Sequence, residues 1–314
     1  MSKHNFEVES GKSIKLLTKN KVCTEDIVVS AYGGNKIPDG YIKPEGSMDI
    51  TENGTFDVRE KAEVNVKVVA KPEKPYIDSS KLKYGAYMFQ NKYGTDLSLL
   101  KNLDTSEMKS MQSMFQGRKD LTGALELDTS NVEMFEYMCG DTNITSLKIN
   151  ASNGGDMRRL CIACYELIEA DLVDTSKAYY VGSAFHNCKK LKTIKGLKTG
   201  NASNFTNIFY GCEEIVELPE LDFSKANGDY SQAFYNCNKL TTVKFVGVIA
   251  IKNNNFSFAQ SHNLTVESLL SILNALSDNT EVATTYTVHL GSANIAKLTD
   301  EQLSIAYSKN IALD

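Results

Sequence analysis

The 314-residue sequence has no Trp, only five Pro and only four His, which are His4, His186, His262 and His289. His is the side chain that titrates near neutrality, so this set is thin material for acid–base catalysis or metal ligation. No apolar run approaches the eighteen or so residues that a membrane-spanning helix needs, so no membrane insertion is expected. Residues 1–21 are polar and charged. They lack an apolar core and a small-residue cleavage site, so no secretory signal is expected and synthesis in a cytoplasm is. A basic excess is also lacking. The 34 Lys+Arg stand against 39 Asp+Glu, a net charge of -5, which argues against a nucleic-acid partner. With 23% charged and 42% hydrophobic residues, wholesale disorder is not expected, and the length allows two or three domains.

What is present is repetition. From about residue 85 to 265 a pattern recurs: a small residue or Met, then Phe, two residues, Cys, two residues, Leu, an alternating apolar stretch, and Asp-Thr-Ser. The Phe position falls at Phe89, Phe115, Cys139, Cys161, Phe185, Phe209, Phe234 and Phe258, at intervals of 22 to 26 residues. That period lies within the range of about 20–29 residues for leucine-rich repeats. Six residues after the Phe position stands an aliphatic, as at Leu121, Leu167, Leu191, Ile215, Leu240 and Leu264. The alternation of Val243, Lys244 and Phe245 predicts a short strand. Asp104-Thr105-Ser106, Asp128-Thr129-Ser130 and Asp174-Thr175-Ser176 carry turn chemistry, because a short polar side chain can bond the backbone two residues on. The Met-Phe-x-x-Cys segment is expected to form one helical turn on the opposite wall. No single repeat can bury its apolar side, so stacking into a solenoid is expected.

Cys164, Cys188, Cys212 and Cys237 share one repeat position and should stack as an interior ladder of free thiols. Seven Cys is an odd number, which excludes a complete disulfide framework in a monomer. Cys161-x-x-Cys164 is half a zinc motif without its other half, so neither metal nor cofactor is expected.

The ends read differently. Ile27-Val28-Val29, the Gly33-Gly34 break, the Asn53-Gly54 turn and alternating Val64, Val66 and Val68 mark short strands. Residues 1–34 form an N-terminal β attachment segment and 35–72 a small β module, with a charged Pro-containing linker over 73–84. Short strands bury little surface alone, so residues 1–72 are expected to need a partner. The repeats occupy 85–264, and 265–314 reads as a helix–strand–helix cap. Val266, Leu269, Leu270 and Leu273 have helical spacing, Thr285 to Leu290 alternates, and Thr299 with Gln302 forms a capping box.

The repeats resemble the leucine-rich repeats of BspA-type bacterial surface proteins, on Leu127-Asp-Thr-Ser-Asn-Val132, Ser113-Met-Phe115 and Ala233-Phe-Tyr-Asn-Cys237. The shortened copy from Met138 to Ser152 departs most. Ile37-Pro-Asp-Gly-Tyr-Ile-Lys-Pro-Glu-Gly46, Asp49 to Val58, and the C-terminal Leu264 to Leu270 and Lys297 to Leu303 are similar to parts of tail and fibre proteins of phages infecting Firmicutes. That resemblance implies a phage tail fibre or receptor-binding protein, a virion component assembled in the host cytoplasm. Its partners would be other tail or baseplate proteins, met through residues 1–72, and a glycan or protein of the host surface. Fibre analogy implies a homo-oligomer, a trimer as the first expectation. The alternatives are a structural baseplate protein and a bacterial surface adhesin.

No catalytic residue is assigned. A wall hydrolase would need paired carboxylates in a cleft, and Glu213, Glu214, Glu217 and Glu220 read more simply as a solvated loop. The candidate ligand-binding residues are His186, Tyr210 and Tyr235. They follow the Phe position in three successive repeats, so stacking would align them, and rowed aromatics can cover sugar rings.

Overall fold

The structure is a computed structural model. It describes strands between Lys3 and Ala70, and residues 79–91, 100, 103–226 and 228–314. The chain divides into two compact units, Met1–Ile77 with Ser98–Asn102, and Asp78–Leu97 with Leu103–Asp314.

In the first unit the strands are β1 (Lys3–Val8), β2 (Lys12–Leu16), β3 (Glu25–Tyr32), β4 (Met48–Ile50), β5 (Gly54–Val58) and β6 (Ala62–Ala70). One antiparallel sheet has the order β1-β6-β3-β4, and β2 pairs with β5. Strands from residues 1–34 and from 35–72 therefore share both sheets. The Gly33-Gly34 break, the Ile37 to Gly46 stretch, Asn53 and the Pro-containing linker through residue 78 lie outside the described residues.

The second unit stacks its repeats in parallel from Tyr84 onward. On one wall, β7 (Thr122–Glu126), β8 (Asn143–Lys148), β9 (Glu169–Asp171) and β10 (Thr193–Lys195) form a parallel sheet in chain order. Its register places Leu125 beside Leu147, Leu147 beside Ala170 and Ala170 beside Ile194, all of them buried. The parallel pair β11 (Leu221–Asp222) and β12 (Phe245–Val246) follows.

The opposite wall is not helical. Bridges link Tyr84, Ser110, Met134, Asp156 and Tyr180, one per repeat. Alternate N–H groups donate to the next repeat, as Phe115 to the Met138 carbonyl at 2.9 Å and Gly117 to that of Gly140 at 2.8 Å. A helical turn would consume those donors within its own segment. The chain instead runs as linked turns, with positive φ two residues before and two after the Phe position. Tyr137 (φ 59) and Asp141 (φ 57) flank Cys139, and Ser183 (φ 58) and Asn187 (φ 59) flank Phe185.

Between the walls lies the core. Phe89 stacks on Phe115 at 5.6 Å, Phe185 on Phe209 at 6.2 Å, Phe209 on Phe234 at 6.0 Å and Phe234 on Phe258 at 4.4 Å. Each such ring contributes about 1.5–3 kcal/mol through burial. The Asp-Thr-Ser corners tie repeats together. The Ser176 N–H donates to its own Asp174, while the Thr175 hydroxyl donates to the Lys198 carbonyl at 2.7 Å and accepts from the Lys198 N–H.

The chain ends in α1 (Val266–Ala275), β13 (Tyr286–Val288), α2 (Ser292–Ile295), α3 (Asp300–Tyr307) and β14 (Ile311–Leu313). The short α2 and the final strand, parallel to β13, go beyond a plain helix–strand–helix unit. Thr299 and Gln302 close the capping box of α3. Helix α1 buries Leu269, Ile272 and Leu273, with Val266 and Leu270 only half-buried. Its apolar stripe is therefore rotated toward Ser268 and Ser271. Those hydroxyls accept the N–H groups of Val243 at 3.0 Å and Phe245 at 2.8 Å, covering the sheet edge with a helix. Among the described residues no helix is long and apolar enough to cross a membrane.

Candidate ligand-binding wall

The turn wall fixes where its side chains go. With two left-handed residues per repeat, the residue just after the Phe position recurs at the same place on successive repeats. His186 stacks on Tyr210 with ring centroids 4.6 Å apart and planes at 26°, and Tyr210 stacks on Tyr235 at 4.8 Å and 15°. All three are half-buried, their faces covered in part by one another. Such pairs contribute about 0.5–1.5 kcal/mol beyond burial. Burial pushes the His186 imidazole below its ordinary pKa, so the ring in the row is neutral at pH 7. Toward the N-terminus the same column holds Ile162, Gly140, and Gln116 hydrogen-bonded to Gln90 at 2.7 Å, so the aromatic face spans three repeats.

A second feature shares this wall. Three residues before the Phe position stand Arg158, Gly182 and Thr206 in successive repeats. Together with Arg159, Tyr180 and Asn204 they line a recess of about 430 Å³. A Cβ at Gly182 would lie 2.8 Å from the Asn204 Oδ1, so the Asn204 side chain takes the room beside this glycine. On one rim the Arg158 guanidinium lies 4.9 Å over the Tyr180 ring and bonds Asp156, with Nη2 to Oδ2 at 2.6 Å. Asp156 is the larger cause that holds the Arg158 pKa above its usual value. Arg159 lies 5.3 Å over Tyr137, with Glu136 at 3.6 Å. The two cations are thus balanced by two carboxylates.

On the other rim, the Thr206 Oγ1 and the Asn207 Oδ1 are buried without a hydrogen-bond partner. Each such orphan costs about 1–3 kcal/mol if nothing fills its place. Sequence reasoning missed Arg158, Gly182, Thr206 and Asn207. Their column gives no clear signal, because it also holds the small residues Ala86 and Ser231.

The remaining charged groups do other work. Glu213 pairs with Lys189 at 3.1 Å and Glu214 with Lys239 at 2.7 Å, each bridging adjacent repeats at the surface. Hydrogen bonding to Lys239 lowers the Glu214 pKa. Glu220 pairs with Lys244, and Glu217 is exposed. These are carboxylates engaged one by one along the stack, not a facing pair.

The thiols are engaged as well. Cys164, Cys188, Cys212 and Cys237 are buried and donate to the carbonyls of Cys139, Cys161, Phe185 and Phe209 in the preceding repeat, at 3.0 to 3.2 Å. Arg118 and Ser261 stand at the same repeat position and reach the Phe89 and Phe234 carbonyls. The position therefore selects a small or extended donor. Burial pushes the thiols of Cys164, Cys188 and Cys212 well above their usual pKa, and that of Cys237 up to about 12, so they are poor nucleophiles.

A family model described as "Mycoplasma protein of unknown function, DUF285" matches residues 83–215 and, overlapping, 148–246. Together the two matches span 83–246, just over half of the chain. No curated protein and no solved structure matches it.

Proposed function

The chain belongs to the DUF285 family, and from its aromatic wall and its two-unit build we propose that it is a phage virion tail component, a tail fibre or receptor-binding protein that attaches to the bacterial host surface. In this reading the stacked repeats are a leucine-rich-repeat solenoid of the BspA type. The strands of residues 1–72 anchor the chain to other tail or baseplate proteins, and the solenoid presents the binding wall. One observation carries the reading: His186, Tyr210 and Tyr235 form a continuous, half-exposed, neutral aromatic face across three repeats. The rings cover one another's faces and present a row of edges and polar tips, which suit the hydroxyls and C–H edges of wall sugars. Such a face would follow a linear polymer repeat by repeat, as extended solenoid surfaces do. The division of the chain between a strand unit and a repeat unit supports separate anchoring and binding roles.

The test is to incubate purified full-length protein with Firmicutes cells and measure binding and phage adsorption. Saturable binding that also blocks adsorption of the cognate phage is expected. Absence of both would sink the proposal. Binding to virion proteins alone would favour a structural baseplate role.

A further inference from the structure

We infer that the outer face of the sheet wall is an interface for a second copy of this chain, packed antiparallel about a two-fold axis that runs along the strands. The inference uses the wall opposite the aromatic row and does not rest on the glycan-binding reading.

The argument is one of charge order. Two columns of side chains stand out from the sheet wall, one residue per repeat. The first runs Glu126, Lys148, Asp171, Lys195, Glu220 and Lys244, so acid and base alternate along it. All are exposed except Asp171, which is half-buried. The second runs Ala124, Ser146, Glu169, Thr193, Glu217 and Thr242, so carboxylates alternate with hydroxyls from Ser146 onward. Between the columns a shallow recess of about 150 Å³ is lined by Ser146, Lys148, Glu169, Asp171, Thr193 and Lys195, which leaves room for long side chains to interdigitate.

A two-fold axis along the strands reverses the order of the repeats and sets each column against itself. In the first column Glu126 then meets Lys244 of the second copy, Lys148 meets Glu220, and Asp171 meets Lys195. Every contact pairs opposite charges. In the second column Ser146 meets Glu217 and Thr193 meets Glu169, so a hydroxyl can donate to a carboxylate each time. Ala124 meets Thr242. A two-fold axis along the stack would instead set one column against the other without reversal. Glu169 would then meet Asp171, and Glu217 would meet Glu220. Like charges so placed repel, which selects the antiparallel arrangement. Six strands of about five residues span roughly 400–500 Å² a side. That lies at the small end of protein interfaces, so a weak, salt-sensitive dimer is expected. The alternation also serves each copy by itself, since Lys148 pairs with Glu126 and Lys244 with Glu220 within the chain. Such exposed pairs are weak, so they can be exchanged across an interface, and the test must separate the two uses.

The experiment is sedimentation equilibrium of the full chain over a concentration series, at about 50 mM and about 500 mM salt. The variants are Lys148→Glu, Glu220→Lys and the two together. Concentration-dependent association is expected at low salt and should weaken at high salt. Each single variant sets like charges against each other in two symmetry-related contacts, and should weaken association about tenfold or more. The double variant places three acids and then three bases along the first column. Within one copy that order breaks the alternation, but across the antiparallel interface every contact is opposite again. Its association should return to within about threefold of the parent, with no matching recovery of Tm in dilute solution. Carbodiimide, which joins an amine directly to a carboxylate in contact, is then applied to a mixture of unlabelled and nitrogen-15-labelled chains. Mixed-isotope peptides joining Lys148 to Glu220 are expected. Within one copy these residues stand three repeats apart, about 14 Å, too far for a direct bond.

A parent chain that does not associate at low salt would overturn the interface. So would association that both single variants leave unchanged, which would belong to another surface. A double variant as weak as the single ones would show that the alternation serves each copy alone, and would overturn it too. None of these results bears on glycan binding by the opposite wall.

Discussion

A left-handed residue two places before seven of the eight Phe positions is held there by hydrogen bonds to the next repeat, whatever its side chain. Tyr87, Ser113, Tyr137, Arg159, Ser183, Asn207 and Gln232 all adopt positive φ, and none is Gly. Two places after, the residues are Asn91, Gly117, Asp141, Ala163, Asn187, Gly211 and Asn236, mostly types that tolerate this conformation. Ala163, with φ 58, is the strained exception. Ala163→Gly should therefore stabilise the protein by about 0.5–1 kcal/mol in urea unfolding. The reverse change at Gly211 should destabilise, because φ is 69 and a Cβ would meet the Asn187 Oδ1 at 2.4 Å.

Thr175 gives a second residue-scale prediction. Its hydroxyl serves both backbone groups of Lys198 while buried. Thr175→Val should cost about 1–3 kcal/mol, whereas the exposed Ser176→Ala should cost less than about 1 kcal/mol. Equal effects in urea titrations would contradict the role given to the threonine.

Elements divide by how far their determinants lie along the chain. The sheet wall was legible because strand alternation and the Asp-Thr-Ser corner are local signals repeated many times. The turn wall was not. Its Met-Phe-x-x-Cys spacing suits a helix, but donors such as Phe115 N–H and Gly117 N–H find partners only in the next repeat. Tertiary bonding overrides the local pattern there. The same holds for the site. Alignment of His186, Tyr210 and Tyr235 follows from the period alone. The recess draws Arg158, Gly182 and Thr206 from three repeats, and the orphan atoms depend on side-chain geometry, so neither is written in one local motif.

Helix α1 shows a related mismatch. Its apolar spacing was readable, but its serines matter because they meet unpaired N–H groups of an edge strand. Ser268 is 3% exposed and bonds Val243. Ser268→Ala should lower stability by about 1–3 kcal/mol by leaving that N–H buried and unpaired. Hydrogen exchange at the Val243 amide, faster in the variant while distant amides stay protected, would check the cause.

For the whole molecule, the thiol column ties stability to alkaline pH. Burial raises the pKa of Cys161, Cys164, Cys188 and Cys212 well above that of free thiols. In the unfolded chain these groups lose protons near pH 8.5–9, while in the folded chain they stay protonated. The unfolded state then binds fewer protons, so stability is full below that range and falls as pH rises through it. The slope is at most about 1.4 kcal/mol per thiol per pH unit. The urea midpoint should drop sharply between pH 8 and 10, and less in the Cys188→Ala, Cys212→Ala double variant. Parallel slopes in the two proteins would remove the thiols as the cause.

The most direct test of the attachment role compares full-length protein with its Tyr210→Ala, Tyr235→Ala double variant in equilibrium binding to purified Firmicutes wall glycan. The account predicts saturable binding by the parent protein and an affinity about tenfold or more lower in the variant, which keeps a cooperative unfolding transition at a Tm lowered by the loss of the two ring stacks. Equal affinities in the two proteins, or no saturable binding by the parent, would contradict it.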